Sequence, residues 1–97
     1  MTHTRDDILE YLRKSRDRFE KNYGVRRIGL FGSALRGDDR SDSDIDVLVD
    51  FQTPTFDHYM DLKYELEDNL GRSVDLVLAD SLKERLRPLI EQEVIYV

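Results

Sequence analysis

The sequence predicts an α/β (α+β) domain: a small mixed β-sheet of three to four strands flanked by helices. Three observations lead to this class. Helical apolar stripes alternate with short runs rich in Val, Ile, Leu and Phe. Glycine or proline stands at most of the junctions. The chain of 97 residues suits one domain near the lower end of comfortable size for a single core. Residues 1–97 are therefore expected to form a single domain, and no repeat, low-complexity tract or linker divides them. Apolar residues make up 39% and charged residues 37%, which implies a thin core under a heavily solvated exterior. The apolar residues are grouped in periodic runs, unlike those of a disordered chain.

The elements follow in order. Thr4 can cap a helix beginning near Arg5, in which Ile8, Leu12, Ser15 and Phe19 form one mostly apolar stripe. Asp6 and Asp7 in its first turn and Lys21 in its last complement the helix dipole, and Gly24 is a natural stop. "VRRIGLF" (25–31) reads as a strand, broken by Gly32-Ser33. "ALRG" has room for about one helical turn, and "DDRSDS" is a polar loop. "DIDVLVDF" (44–51) is a second strand. Ile45, Val47, Val49 and Phe51 share one of its faces, and Asp44, Asp46, Leu48 and Asp50 the other. Pro54 cannot extend a ladder. A helix from about Phe56 carries Tyr59, Leu62, Leu66 and Leu70 on one side and ends at Gly71. "SVDLVLA" (73–79) is a third strand, interrupted only by Asp75. Ser81 to Glu84 match a capping box for another helix, which Pro88 interrupts or restarts. "VIYV" is a short final strand.

Composition narrows the function. There are no cysteines, which excludes disulfides and thiolate zinc sites. No apolar run approaches the ~20 residues of a membrane span, and the first fifteen residues lack the apolar core of a signal peptide. A soluble, cytoplasmic protein without a membrane partner is expected. A formal net charge of −6 argues against direct nucleic-acid binding, which relies on neutralising phosphates with Lys and Arg. Any phosphate compound would be held at a local site, with a metal.

The chemistry gathers in "GSALRGDDRSDSDID" (32–46) and at Asp75. Residues i and i+2 of a strand point the same way, so Asp44 and Asp46 are neighbours on one face, about 7 Å apart along the chain. Paired carboxylates of this kind can share hard divalent cations such as Mg²⁺. Asp75 interrupts an apolar strand, where an unpaired ionised carboxylate is costly. If its strand lies beside 44–51, three acids converge, and a cation is needed to offset their repulsion. Gly32-Ser33, ending a strand before a helical turn, offers backbone N–H groups and a hydroxyl to a phosphate chain, and Arg36 could add positive charge. Two metals bridging a triphosphate and carboxylates, with a hydroxyl in line with leaving pyrophosphate, would give nucleotidyl transfer.

Simpler readings compete. Singly, each acid could be a solvated strand end and Ser33 an ordinary N-cap; the order and spacing of the whole set favour the site. Asp42, Asp44 and Asp46 imitate an EF-hand opening, but Val47 replaces the turn glycine and Thr53 the bidentate Glu. "GSALRG" lacks the Gly-Lys-Ser/Thr ending of a Walker A loop. Arg40, Asp38, Asp39, Asp42 and Asp50 are read as solvated charges. His3 and His58 receive no role, and Tyr11, Tyr59 and Tyr64 are read as core.

Gly32-Ser33, ten intervening residues and then Asp44-x-Asp46, with Asp75 on a later strand, resemble the signature of nucleotidyltransferases related to DNA polymerase β. The wider pattern, from "RSDSDIDVLVDF" to the C-terminal "VIYV", resembles the minimal nucleotidyltransferase (MNT) proteins over nearly the whole chain. The resemblance implies the polymerase β-like nucleotidyltransferase fold. It also implies Mg²⁺ (two ions) on Asp44, Asp46 and Asp75, and nucleotide phosphates on Gly32 and Ser33. Arg36 as a nucleotide ligand rests on its position alone. Many MNT proteins are encoded beside a HEPN-domain RNase toxin. The resemblance therefore implies an antitoxin in a hetero-oligomer with such a toxin, transferring AMP from ATP to a toxin tyrosine. Two other functions stay open: a non-catalytic antitoxin acting by complex formation, and transfer to a small acceptor such as an aminoglycoside. The short chain counts against the latter, since little is left over for an acceptor-binding domain.

Overall fold

Helix α1 (Arg5–Tyr23) starts at a reciprocal cap. In this computed structural model, which describes residues 4–37, 44–82 and 85–97, the Asp7 amide donates to Thr4 Oγ1 at 3.2 Å and the Asp7 carboxylate accepts from the Thr4 amide at 3.2 Å. The two bonds satisfy amide donors that an uncapped helix would leave open. The expected stripe is the buried face: Ile8, Leu12, Ser15 and Phe19 are each at most 3% exposed. Gly24 closes the helix in the left-handed conformation, φ 70°, and strand β1 (Val25–Phe31) follows at once.

A five-residue helix α2 (Gly32–Arg36) leads off the end of β1. Strand β2 (Ile45–Phe51), helix α3 (Phe56–Leu70) and strand β3 (Val74–Leu78) form a parallel βαβ unit. Thr55 caps α3 by accepting from the His58 amide at 3.1 Å. Tyr59 Oη donates to the Leu76 carbonyl at 2.6 Å, which ties α3 to the strand it precedes. The chain ends in α4 (Arg87–Glu93) and the two-residue strand β4 (Ile95–Tyr96). The sheet order is β3-β2-β1-β4, with β1 antiparallel to both β2 and β4. The sheet is thus the predicted mixed one of four strands.

Ile45, Val47 and Val49 are fully buried and Phe51 is nearly so. They meet Ile8, Leu12, Phe19, Leu62, Leu66 and Leu70 from α1 and α3 in one core. Burial of this core is the main source of stability. Glu65 fastens the two helices together, accepting from Tyr23 Oη at 2.8 Å and from Arg18 Nη2 at 2.5 Å. Burial first, and then the bond to Glu65, push the Tyr23 phenol up to about 12. Among the described residues no helix is long and apolar enough to cross a membrane.

The structure departs from the sequence reading at three places. No helix opens at Ser81: it closes a 3-10 turn (Ala79–Ser81), and Leu82 is extended, φ −66° and ψ 131°. Helix α4 starts only at Arg87, with Pro88 in its first turn, where a missing N–H costs nothing. A helix begun at Ser81 would have placed that proline in its interior. Lys83 and Glu84 lie outside the described residues, as do His3, Asp38, Asp39, Arg40 and Asp42. Asp50 is not a solvated strand-edge charge: it is 8% exposed, and Arg26 and Arg27 approach it at 3.7 and 3.6 Å. Tyr64 is 56% exposed, because it lies on the side of α3 turned away from Leu62 and Leu66.

Candidate active site

Antiparallel pairing brings the end of β1 to the start of β2, and parallel pairing brings the start of β3 to the same place. Phe31, Asp46 and Asp75 therefore form one row across three strands. Adjacent strands lie ~4.8 Å apart, and paired residues point to the same face. Asp46 and Asp75 are thus lateral neighbours. Asp44, two residues before Asp46 and just ahead of β2, adds a third carboxylate at this end of the sheet. Asp46 is half-buried, while Asp44 and Asp75 are exposed.

Gly32 immediately follows Phe31, at φ +77°. A Cβ added to it would overlap Asp46 Oδ2 and lie 2.8 Å from Asp46 Cγ. Two independent reasons therefore require glycine here: the backbone conformation, and the carboxylate seated against its Cα. Ser33, next along, is half-buried. Arg36 closes α2 and is ion-paired through Nη1 with Glu93 Oε1 at the end of α4. The sequence-predicted residues are therefore gathered at one end of the sheet.

The electrostatics centre on Asp46. Its carboxyl is pushed up to about 6, first by burial, then by Asp75, Asp44 and Glu93, with Arg36 opposing. An unfolded chain holds this carboxyl near 3.8. Between those two values the folded chain binds more protons than the unfolded one, so stability falls as pH rises through the window. With solvent screening at a half-exposed group, the penalty above pH 6 is about 1–2 kcal/mol. Asp46→Asn should remove it. In chelator-containing buffer, urea unfolding should find the variant more stable than the parent at pH 7, with the difference shrinking towards pH 4.

Among the described residues, no group of three or more His, Cys, Asp or Glu is close enough to make a ready metal cage. The acids form an open array. An array of hard oxygen donors still fits Mg²⁺, which is held by one or two carboxylates, with waters and substrate phosphates completing its shell. The repulsion on Asp46, opposed in part by Arg36, is what a divalent cation would offset further.

A family model described as a nucleotidyltransferase domain matches residues 12–97. The chain belongs to this family. It is 40% identical over 95 residues to the protein adenylyltransferase MntA of Thermococcus cleftensis, an alignment covering 97% of this chain and 96% of that one. A solved minimal nucleotidyltransferase superposes with a TM-score of 0.74 at 40% identity, over 90% of this chain and 93% of that one. The fold also matches a toxin–antitoxin crystal structure with AMP-PNP: TM-score 0.68, 24% identity, 86% of this chain and 69% of that one. At 22% identity it matches a chain from the complex of the tri-AMPylated Shewanella oneidensis HEPN toxin with MNT antitoxin, with a TM-score of 0.63 over 91% of this chain and 70% of that one.

The enzyme is thus a nucleotidyltransferase, and its four-stranded mixed sheet is the fold of these neighbours. Among the described residues, Glu93 is an acid that pairs with Arg36 and adds to the charge acting on Asp46, and the sequence did not reveal it. It lies 57 positions beyond Arg36, and no spacing rule links two residues so far apart. The only signal is an acid just ahead of the C-terminal strand.

Proposed function

We propose that this nucleotidyltransferase is an Mg²⁺-dependent antitoxin that transfers AMP from ATP to a tyrosine of a cognate HEPN toxin and so neutralises it. The observation that carries the reading is the Asp46–Asp75 row beside Gly32, in a chain 40% identical over 97% of its length to a protein adenylyltransferase. Asp44, Asp46 and Asp75 would hold the metal, which would supply charge neutralisation to the phosphates and polarise the reacting phosphorus. Gly32 and Ser33 receive the triphosphate. With no Cβ at Gly32, the Asp46 carboxylate can sit against the backbone segment proposed to receive the phosphates. Arg36, at the rim, adds a guanidinium suited to phosphate oxygens.

Asp75 is exposed at the end of its row and takes the proton from the attacking tyrosine hydroxyl. The tyrosine oxygen bonds to the α-phosphorus, the bond to the bridging oxygen breaks, and pyrophosphate leaves. The open end of the sheet suits an acceptor that brings its own surface, as a protein does.

Incubation with labelled ATP, Mg²⁺ and a HEPN-domain partner tests this reading. Intact-mass measurement should find one or more AMP units added to the partner, lost when Mg²⁺ is chelated. A partner without added mass would overturn it.

A further inference from the structure

Helix α3 turns two aromatic rings outward. Phe56 is 76% exposed and Tyr64 56%, and Met60, four residues from each, is half-buried between them. Residues four apart stack along one side of a helix, so the three form a continuous apolar ridge. One exposed apolar side chain needs no explanation, but a contiguous set marks an interaction surface.

The ridge begins at a recess. Pro54, Thr55, Phe56, Tyr59 and Leu78 line a mostly apolar hollow of about 320 Å³ between the start of α3 and the end of β3. Strand β3 is an edge of the sheet, yet two backbone groups on its open side are already taken by α3. Glu67 Oε2 accepts from the Val74 amide at 2.9 Å, and the Leu76 carbonyl accepts from Tyr59 Oη at 2.6 Å. A partner that added itself as a fifth strand would have to displace both. Side chains entering the groove between α3 and β3 displace neither.

Charge selects the occupant. Helix α3 carries Asp57, Asp61, Glu65, Glu67 and Asp68 against a single lysine, Lys63. Asp57, Asp61 and Asp68 are exposed alongside the ridge, in a chain of net charge −6. A second copy would set these acids against their own kind. A surface with lysines and arginines around an apolar anchor complements them, and a toxin that acts on RNA needs such a surface to hold phosphates. The position agrees. Leu78 at the recess is three residues along β3 from Asp75, about 10 Å, and only this edge strand separates the groove from the acidic face.

We propose that the groove between α3 and β3, anchored at the Phe56 recess, is the docking surface for the protein acceptor, which enters it with an apolar side chain flanked by lysines and arginines. The inference rests on the proposed transfer to a toxin and adds the surface that captures it.

The test is steady-state transfer from labelled ATP to a HEPN-domain toxin at varied toxin concentration. Phe56→Glu should raise KM for the toxin about 30-fold, as loss of a central aromatic anchor does. Its kcat should stay within about 2-fold of the parent, and its calorimetric binding of MgATP should not change. Phe56 is exposed and a glutamate suits the first turn of a helix, so the melting temperature should hold. Asp57→Lys/Asp61→Lys should raise KM about 10-fold at low ionic strength, and the gap should close at about 1 M salt. These two residues are exposed, which keeps the test decisive should Phe56→Glu melt early. An unchanged KM in the charge-reversed chain, or a loss confined to kcat, would overturn the proposal. So would light scattering that finds a dimeric parent and a monomeric Phe56→Glu, since the groove would then belong to a second copy. A parent that labels no toxin overturns the proposed transfer; the groove then stands if Phe56→Glu removes calorimetric binding of the toxin and falls if it does not. A parent that neither labels nor binds the toxin overturns both.

Discussion

The double substitution Asp44→Asn/Asp46→Asn is expected to leave a folded chain whose nucleotide transfer falls by a factor on the order of 10³ or more. The carboxylates contribute charge at the site, and asparagine keeps their shape while removing it. Stability should not fall. Ionising Asp46 opposes folding, because burial and the neighbouring acids raise its proton affinity. Loss of transfer with an unchanged or higher melting temperature is therefore the diagnostic pair, read by incorporation of labelled AMP and by thermal unfolding. The same variant decides how an antitoxin of this kind would act. If it still neutralises a toxin as well as the parent, complex formation is the mechanism and transfer is incidental.

Gly32→Ala should damage both stability and activity. An alanine at φ +77° costs about 1–3 kcal/mol of backbone strain. Its methyl group would also overlap the Asp46 carboxylate, so Asp46 must swing out of its row with Asp75. Transfer should fall with it by at least about 10²-fold. Gly71→Ala is the control. Gly71 has a similar φ of +67°, but a Cβ there would meet nothing within 4 Å. That variant should be destabilised by a comparable backbone strain and keep its activity. Equal activity losses in the two variants would show that strain alone, not the displacement of Asp46, sets the effect.

Much of this was legible in the sequence because the physics is local. Period-two alternation divided β2 into a core face and an acidic face, and a break residue after an apolar run marked the turn at Gly32. Asp75 was legible because a carboxylate among Val74, Leu76 and Val77 calls for an explanation. What needed the fold was lateral. Parallel pairing of β2 with β3 puts Asp46 beside Asp75; alternation gave the face but not the neighbour. The unequal burial of the acids, with Asp46 half-covered and its partners exposed, depends on the close seat against Gly32. Asp50 looked solvated because its covering arginines come from the adjacent strand. Pro88 restarted a helix at Arg87 because the segment before it is extended at Leu82, which local capping chemistry did not reveal. Glu93 belongs to the same class, since pairing across the sheet's far edge is what carries it to Arg36.

The Phe31–Asp46 pairing also bears on how such sites diversify. Both ends of the stretch between Gly32 and Asp44 are anchored to adjacent strands, so the site's geometry is set by strand register and not by the count of residues in between. Lengthening a tethered connection costs only a logarithmic entropy increment, about 0.6 kcal/mol per doubling. Strand register therefore does not by itself require an interval of ten residues between Ser33 and Asp44. Kindred chains with longer or shorter intervals should retain the same carboxylate row, and a fixed-spacing motif would overlook them.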